Sequence, residues 1–186
     1  MRERINRPVD MVLTAADQKK GTAGYAEVHA HGDGSLTRKT ADFNYPENVR
    51  FECTRCVLCC CDTGDRKRRI VMLREEARAI AKATGKLVST FAVSIRNHAP
   101  YAYAVKKTYG RCSFLQGTEC TVYSVRPLVC RFYPFELTTA DGRYVFHCTL
   151  ECPGIGRGPR LGSRYYLRLL REAYRRLGNP DELREG

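Results

Sequence analysis

Five of the chain's ten cysteines fall within the twelve residues "FECTRCVLCCCD", Phe51 to Asp62. Cysteine is rarely used that densely unless the sulfurs bond to each other or to a metal. The segment "MRERINRPVDMVLTAADQKK" bears on that choice, because charges flank an apolar patch of only a few residues. That patch is too short for a signal core or a membrane span, and no other apolar run approaches the length needed. The expected location is therefore the cytoplasm, where thiols stay reduced and a cysteine cluster more often holds metal than disulfides.

The spacing Cys53-x2-Cys56-x2-Cys59 lets a tight loop wrap three thiolates around one centre, with a fourth ligand from elsewhere. Neighbours such as Cys59 and Cys60 tend to point apart, so they suit different metals of one cluster or two separate centres. Remote candidates are Cys112 and Cys120, on either side of a Gln116-Gly117 turn, then Cys130, and finally Cys148-x3-Cys152-Pro153. The last echoes the end of a bacterial ferredoxin run. An all-cysteine set in a chain with four histidines favours an iron–sulfur cluster, one or two, of the [4Fe–4S] type. Zinc is the alternative, although four-cysteine zinc sites usually present two separated CxxC knuckles and no second knuckle is present. His147 is a possible alternate ligand. His29 and His31 could join Asp33 at a metal, but read more simply as loop residues.

The 186 residues, 43% of them hydrophobic, are enough for one domain with a real core. Residues 1–49 read as an extension, with short strands around 26–31 and 36–43. Residues 50–158 form the cysteine-cluster domain, and 159–186 a basic amphipathic helix packed on it. Leu73, Ala77, Ile80, Ala81 and Thr84 recur at helical spacing, and Gly85 marks a stop. A shorter helix is expected over Thr90 to Asn97. From "YAYAVKKTY" onward the period becomes two, and "RYVFHC" is expected to return from an Asp141-Gly142 turn onto the segment from Phe132 to Thr138. In "SRYYLRLLREAYRRLG", Ser163 is the expected N-cap, and Tyr166, Leu170, Ala173, Tyr174 and Leu177 form the buried stripe. The predicted fold is α+β: short antiparallel strands, a central helix and a C-terminal amphipathic helix.

The formal charge of +12 counts cysteines as neutral, and each metal-bound thiolate subtracts one. The remaining basic surface suits nucleic acid, an anionic membrane or an acidic protein. "RKRR" at Arg66 to Arg69, and Arg164, Arg168, Arg171 and Arg175 on the last helix, could grip phosphates, but a solvated face is the commoner explanation. Tyr101, Tyr103 and Tyr109 resemble a base-stacking platform, with core packing the simpler reading. There is no phosphate-binding glycine loop, nucleophile elbow or dinucleotide fingerprint. Nothing argues for a self-contained active site.

"CTRCVLCC", a helix beginning "VMLREEARAIA", and "CSFLQGTECTVYSVRPLVCRFYPF" occur in that order. Together they resemble the YkgJ-like cysteine-cluster family over roughly residues 50–157. The resemblance implies a zinc- or iron-chelating domain and picks out Cys53, Cys56, Cys59, Cys60, Cys112, Cys120 and Cys130, with Arg126 and Pro127 in an Arg-Pro element. Cys61, a third consecutive cysteine, and Val57, where glycine is common, depart from the pattern. Arg126 is expected to pair with a carboxylate, hydrogen-bond a cluster sulfur or simply shape the chain before Cys130. The expected function is a metal-cofactor protein acting in electron transfer or as an accessory to a larger redox enzyme or complex. The alternative is a zinc-stabilised module that binds nucleic acid or protein.

Overall fold

The computed structural model describes residues 43–64, 66–140 and 143–178. The strand expected at 26–31, most of that at 36–43, the His29, His31 and Asp33 group, and the Asp141-Gly142 turn lie outside them. In chain order, β1 (Phe43–Asn44) and β2 (Arg50–Phe51) precede the cysteine loop, and β3 (Val71–Met72) and α1 (Arg74–Thr84) follow it. Next come α2 (Val88–Phe91), β4 (Ala92–Ser94) and β5 (Tyr103–Val105). Two small hairpins follow, β6 (Lys107–Thr108) with β7 (Arg111–Cys112), and β8 (Leu115–Gln116) with β9 (Glu119–Cys120). A 3-10 turn at Tyr123–Val125 leads to α3 (Leu128–Phe132), β10 (Phe135–Ala140), β11 (Arg143–Cys148), β12 (Ile155–Arg160) and α4 (Ser163–Leu177). The fold is mixed α+β, with mostly short antiparallel strands.

α1 forms where the apolar spacing predicts it. At its start the Glu76 carboxylate reaches back to accept the Leu73 N–H at 2.9 Å, which satisfies a donor the helix itself leaves unpaired. Gly85, in the left-handed region at φ 67°, ends it. The same carboxylate accepts the Leu128 N–H at the start of α3 at 2.7 Å and meets Arg176 of α4 at 3.3 Å. One buried acid thus ties three helices together.

The second helix is shorter than its sequence pattern predicts. Only Val88–Phe91 is helical, and Ala92–Ser94 instead pairs antiparallel with β5, which also takes β3 on its other edge. A short apolar run can satisfy either period, and here a non-local strand partner decides. β10 and β11 pair as expected, with Phe135 opposite Cys148 and Ala140 opposite Arg143, and β1 adds a parallel edge to β11. The aromatic and aliphatic core, with Met72, Ile80, Leu128, Phe132, Phe135, Leu137, Tyr166 and Leu170 all but inaccessible, sits between this sheet and the helices. On α4, Gly162 occupies the cap position and Ser163 is the first helical residue, so the expected serine cap is displaced by one. The buried stripe is Tyr166, Leu169, Leu170 and Ala173, with Tyr174 and Leu177 packed at its edge. Arg164, Arg168, Arg171 and Arg175 face outward.

Candidate metal centre

The cysteine loop is held at both ends by backbone pairing. At its entry β2 lies antiparallel to β12, and the Glu52 N–H donates to the Gly154 carbonyl at 3.1 Å. At its exit the Cys112 N–H donates to the Cys60 carbonyl at 2.8 Å, the Asp62 N–H donates to Gly110 at 2.8 Å, and Cys61 forms a bridge opposite Arg111. Between these ends the chain turns tightly. The Cys60 N–H closes onto the Val57 carbonyl at 2.8 Å, and both Arg55 and Val57 take the left-handed conformation, at φ 54° and 59°. A β-branched residue there is strained. Glycine would fit the backbone better there.

The exit pairing sets Cys60 beside Cys112. The Gln116-Gly117 turn folds β8 and β9 into the expected hairpin, with Cys120 opposite Leu115, and α3 carries Cys130. Within a quartet of sulfurs, Cys59 bears on Cys112, Cys120 and Cys130, Cys120 bears on Cys112, and Cys130 also feels Cys112 and Cys120. The Sγ of Cys60 lies 3.6 Å from that of Cys59. This hydrogen bond, then burial, pushes the Cys59 thiol up. Burial pushes up Cys112, Cys120 and Cys130. The backbone N–H groups of Phe114 and Val122 act the other way on Cys112 and Cys120. Such N–H to sulfur bonds favour thiolate, the metal-binding form.

Arg68 is a member of the site that its sequence context concealed. Within "RKRR" it reads as a phosphate-gripping or solvated residue, yet it is buried, and its charge bears on the sulfurs of Cys59 and Cys130. Its guanidinium lies 4.5 Å from the centroid of the Tyr133 ring, and its Nε has no hydrogen-bond partner among the described residues. Its backbone N–H donates to Asp62 Oδ1 at 2.6 Å, and Asp62 also takes the Lys107 ammonium. Arg66 pairs with Glu151, and Arg69 donates to His98 Nε2 at 3.1 Å. The run is thus engaged within the protein.

Cys53 and Cys56 bear on Cys152. Cys152 is buried, and burial raises its thiol first; the Gly154 and Ile155 N–H groups oppose this, while Cys56 and Cys53 add to it. At the end of β11, burial alone raises the Cys148 thiol, and its charge bears on Tyr166. His147 bonds Thr138 Oγ1 at 2.9 Å. Arg126 stacks 3.7 Å from the Tyr123 ring centroid and donates to the Tyr123 carbonyl at 2.8 Å, while its charge also lowers the Cys120 thiol. Both shaping the chain and facing a sulfur are therefore among its contacts. Tyr101 and Tyr103 pack against the core, whereas Tyr109 is 99% exposed, so the three make no shared platform.

A family model described as "Putative zinc- or iron-chelating domain", with the signature CxxCxxCC, matches residues 52–153. The chain belongs to the CxxCxxCC family. In this chain the signature cysteines are Cys53, Cys56, Cys59 and Cys60. An uncharacterized protein of Methanocaldococcus jannaschii, MJ0661, is 26% identical over 105 residues, or 53% of this chain and 52% of that one. The chain thus matches about half the length of this relative. No solved structure matches.

The donor set fits the metal chemistry of the CxxCxxCC description. The quartet contains only sulfur, a buried cation adjoins it, and an orphaned buried N–H of that cation suits a thiolate or sulfide acceptor. As the side chains stand, no three His, Cys, Asp or Glu residues among those described surround a single ion position. Metal binding therefore requires the thiols to lose protons and draw in around the ion. No helix among the described residues is long and apolar enough to cross a membrane.

Proposed function

We propose that Cys59, Cys112, Cys120 and Cys130 hold an iron–sulfur centre, and that the protein acts in electron transfer or as an accessory to a larger redox enzyme. The observation that carries this reading is the mutual interaction of four sulfurs from four separate segments, with no nitrogen or oxygen ligand among them. Soft all-thiolate sets suit iron–sulfur clusters and zinc alike. A tetrahedral zinc ion would draw its sulfurs to within about 3.8 Å of one another, given Zn–S bonds of about 2.3 Å.

When bound, such a centre supplies one-electron chemistry at a potential set by charge, hydrogen bonding and exposure. The chain's own contribution is to hold the thiolates in place and to control their surroundings. The β6–β7 and β8–β9 hairpins fix Cys112 and Cys120, and α3 fixes Cys130 against the core. The Phe114 and Val122 N–H groups stabilise negative sulfur, and Arg68 places a positive charge at the buried side. The outward arginines of α4 provide a basic face for an acidic protein partner.

Protein purified without oxygen tests the reading. Broad visible absorbance that bleaches on chemical reduction is expected. A colourless protein with bound zinc would overturn the electron-transfer reading and leave a zinc-stabilised binding module.

A further inference from the structure

We infer that the seam between the Tyr123–Val125 turn and α4 is the docking surface for an acidic redox protein, anchored on Tyr123 and held by Arg126, Arg164, Arg168 and Arg171. The inference rests on the proposed redox role in naming the partner, and adds where that partner sits and which residues hold it.

Two stretches without acids build this surface. Residues 121–135 hold Arg126 and Arg131 and no Asp or Glu, and residues 152–171 hold five arginines, all exposed, and no Asp or Glu. Arg131 joins the two stretches. Its guanidinium donates to the Ser124 carbonyl at 2.7 Å and the Arg126 carbonyl at 3.0 Å, and lies 3.8 Å from Glu172 on α4. Glu172 is the one acid of α4, and Arg175 and Arg176 also pair with it, at 2.9 and 2.8 Å. Arg164, Arg168 and Arg171 form no ion pair among the described residues. Their three- and four-residue spacing puts them on one helix face, where the row from Arg164 to Arg175 runs about 16 Å.

Tyr123 gives the seam its anchor. The side chain is 61% exposed, and the Arg126 guanidinium covers one face of its ring, 3.7 Å from the centroid, while donating to the Tyr123 carbonyl at 2.8 Å. Both side chains are thus held in place before a partner arrives, which lowers the entropy lost on docking. Tyrosine and arginine are the residue types that most often dominate protein interfaces.

The charge selects an anionic occupant, and two observations select a protein over a nucleic acid. Single strands bind on successive exposed rings, but on this surface Tyr123 alone presents one: Tyr165 is half-buried and Tyr166 inaccessible. The seam also adjoins the candidate centre, since Tyr123 and Arg126 lie in the connection between Cys120 at the end of β9 and Cys130 in α3. A partner docked there meets the chain that carries two of the four candidate ligands.

The test has two parts, each run on wild type, Arg168→Glu, Tyr123→Ala and the control Arg96→Glu. All three replaced residues are exposed, and Arg96→Glu makes the same change in net charge as Arg168→Glu. Fluorescence anisotropy first measures binding of a dye-labelled oligoglutamate peptide, and of oligouridine of equal charge, at low salt. Peptide binding is expected to weaken about tenfold in Arg168→Glu, about threefold in Tyr123→Ala, which frees Arg126, and less than about twofold in Arg96→Glu. Stopped flow then follows oxidation of the reduced protein by ferricyanide, an anion, and by hexaammineruthenium(III), a cation, each of which accepts one electron. Arg168→Glu is expected to slow the anion about fivefold and to speed the cation, with Arg96→Glu changing neither by more than about twofold. Equal effects of Arg168→Glu and Arg96→Glu would show a general charge effect and overturn the inference. Tighter binding of oligouridine than of the peptide through Arg168 would make the surface a nucleic-acid site and overturn it too, as would Arg168-dependent peptide binding with unchanged ferricyanide rates. If the protein is colourless and zinc-bound, Arg168-dependent peptide binding keeps the surface for an acidic protein while the redox reading fails.

Discussion

The guanidinium of Arg68 lies 4.5 Å from the centroid of the Tyr133 ring, inside the protein and beside the sulfurs of Cys59 and Cys130. Burial pulls the Arg68 pKa down, and the thiol sulfurs push the other way. A buried cation is costly unless negative groups face it, and bound thiolates would supply them. Arg68→Met is expected to weaken metal retention by about tenfold and to shift the reduction potential of the centre to more negative values, since the lost charge favoured the reduced form. Arg68→Lys should recover part of both. Chelator competition and potentiometry measure the two effects, and a Met variant indistinguishable from wild type would remove Arg68 from the site.

Replacing a quartet member should have a different signature from replacing a bystander. Cys130→Ser removes a thiol on which Cys112, Cys59 and Cys120 bear, whereas burial alone raises Cys148. Loss of most of the bound metal is expected for Cys130→Ser, with near-wild-type content for Cys148→Ser. Elemental analysis of the purified variants decides between this pattern and a centre that recruits Cys148.

Val57 is a β-branched residue at φ 59°. The left-handed region costs an L-residue about 1–2 kcal/mol, and glycine gives back about 0.5–1 kcal/mol through its looser unfolded chain. Val57→Gly is therefore expected to be neutral or to stabilise the protein by up to about 1 kcal/mol, with metal retained. Thermal unfolding tests this, and a marked fall in stability would show that the Val57 side chain is needed for packing.

Glu76 sets a pH dependence. Burial raises its pKa above the ordinary 4.5, against the opposing pull of the Leu73 and Leu128 N–H groups and of Arg176. The folded state thus holds this proton more tightly than the unfolded chain. The contribution is fully present below about pH 4.5 and is lost as pH rises through the folded-state pKa. Glu76→Gln should lack this fall. It should also be less stable throughout, by about 1–3 kcal/mol, because an amide N–H would confront one of the backbone N–H donors. Urea unfolding across this range compares the two proteins.

Much of the framework was legible from local signals. α1 and α4 followed from apolar spacing, the β10–β11 hairpin from alternation, and the β8–β9 hairpin from Gln116-Gly117. Each depends on neighbours in sequence. The readings that changed depend on distant partners. Ala92–Ser94 is a strand because β5 offers an edge, and Arg68 is interior because Asp62 and Tyr133 receive it. The spacing of Cys53, Cys56 and Cys59 marks the loop, while the backbone pairings that hold it, β2 on β12 at its entry and Cys60 on Cys112 at its exit, come from distant segments. Nothing in the spacing carries those pairings. The family resemblance picked out Cys112, Cys120 and Cys130, whose charges or burial the structure links to Cys59.

The most direct test of the central claim is iron, acid-labile sulfide and zinc content of wild-type protein prepared without oxygen. About four iron and four sulfide per chain are predicted for a single [4Fe–4S] centre on the quartet. Zinc alone, without sulfide or colour, would contradict it.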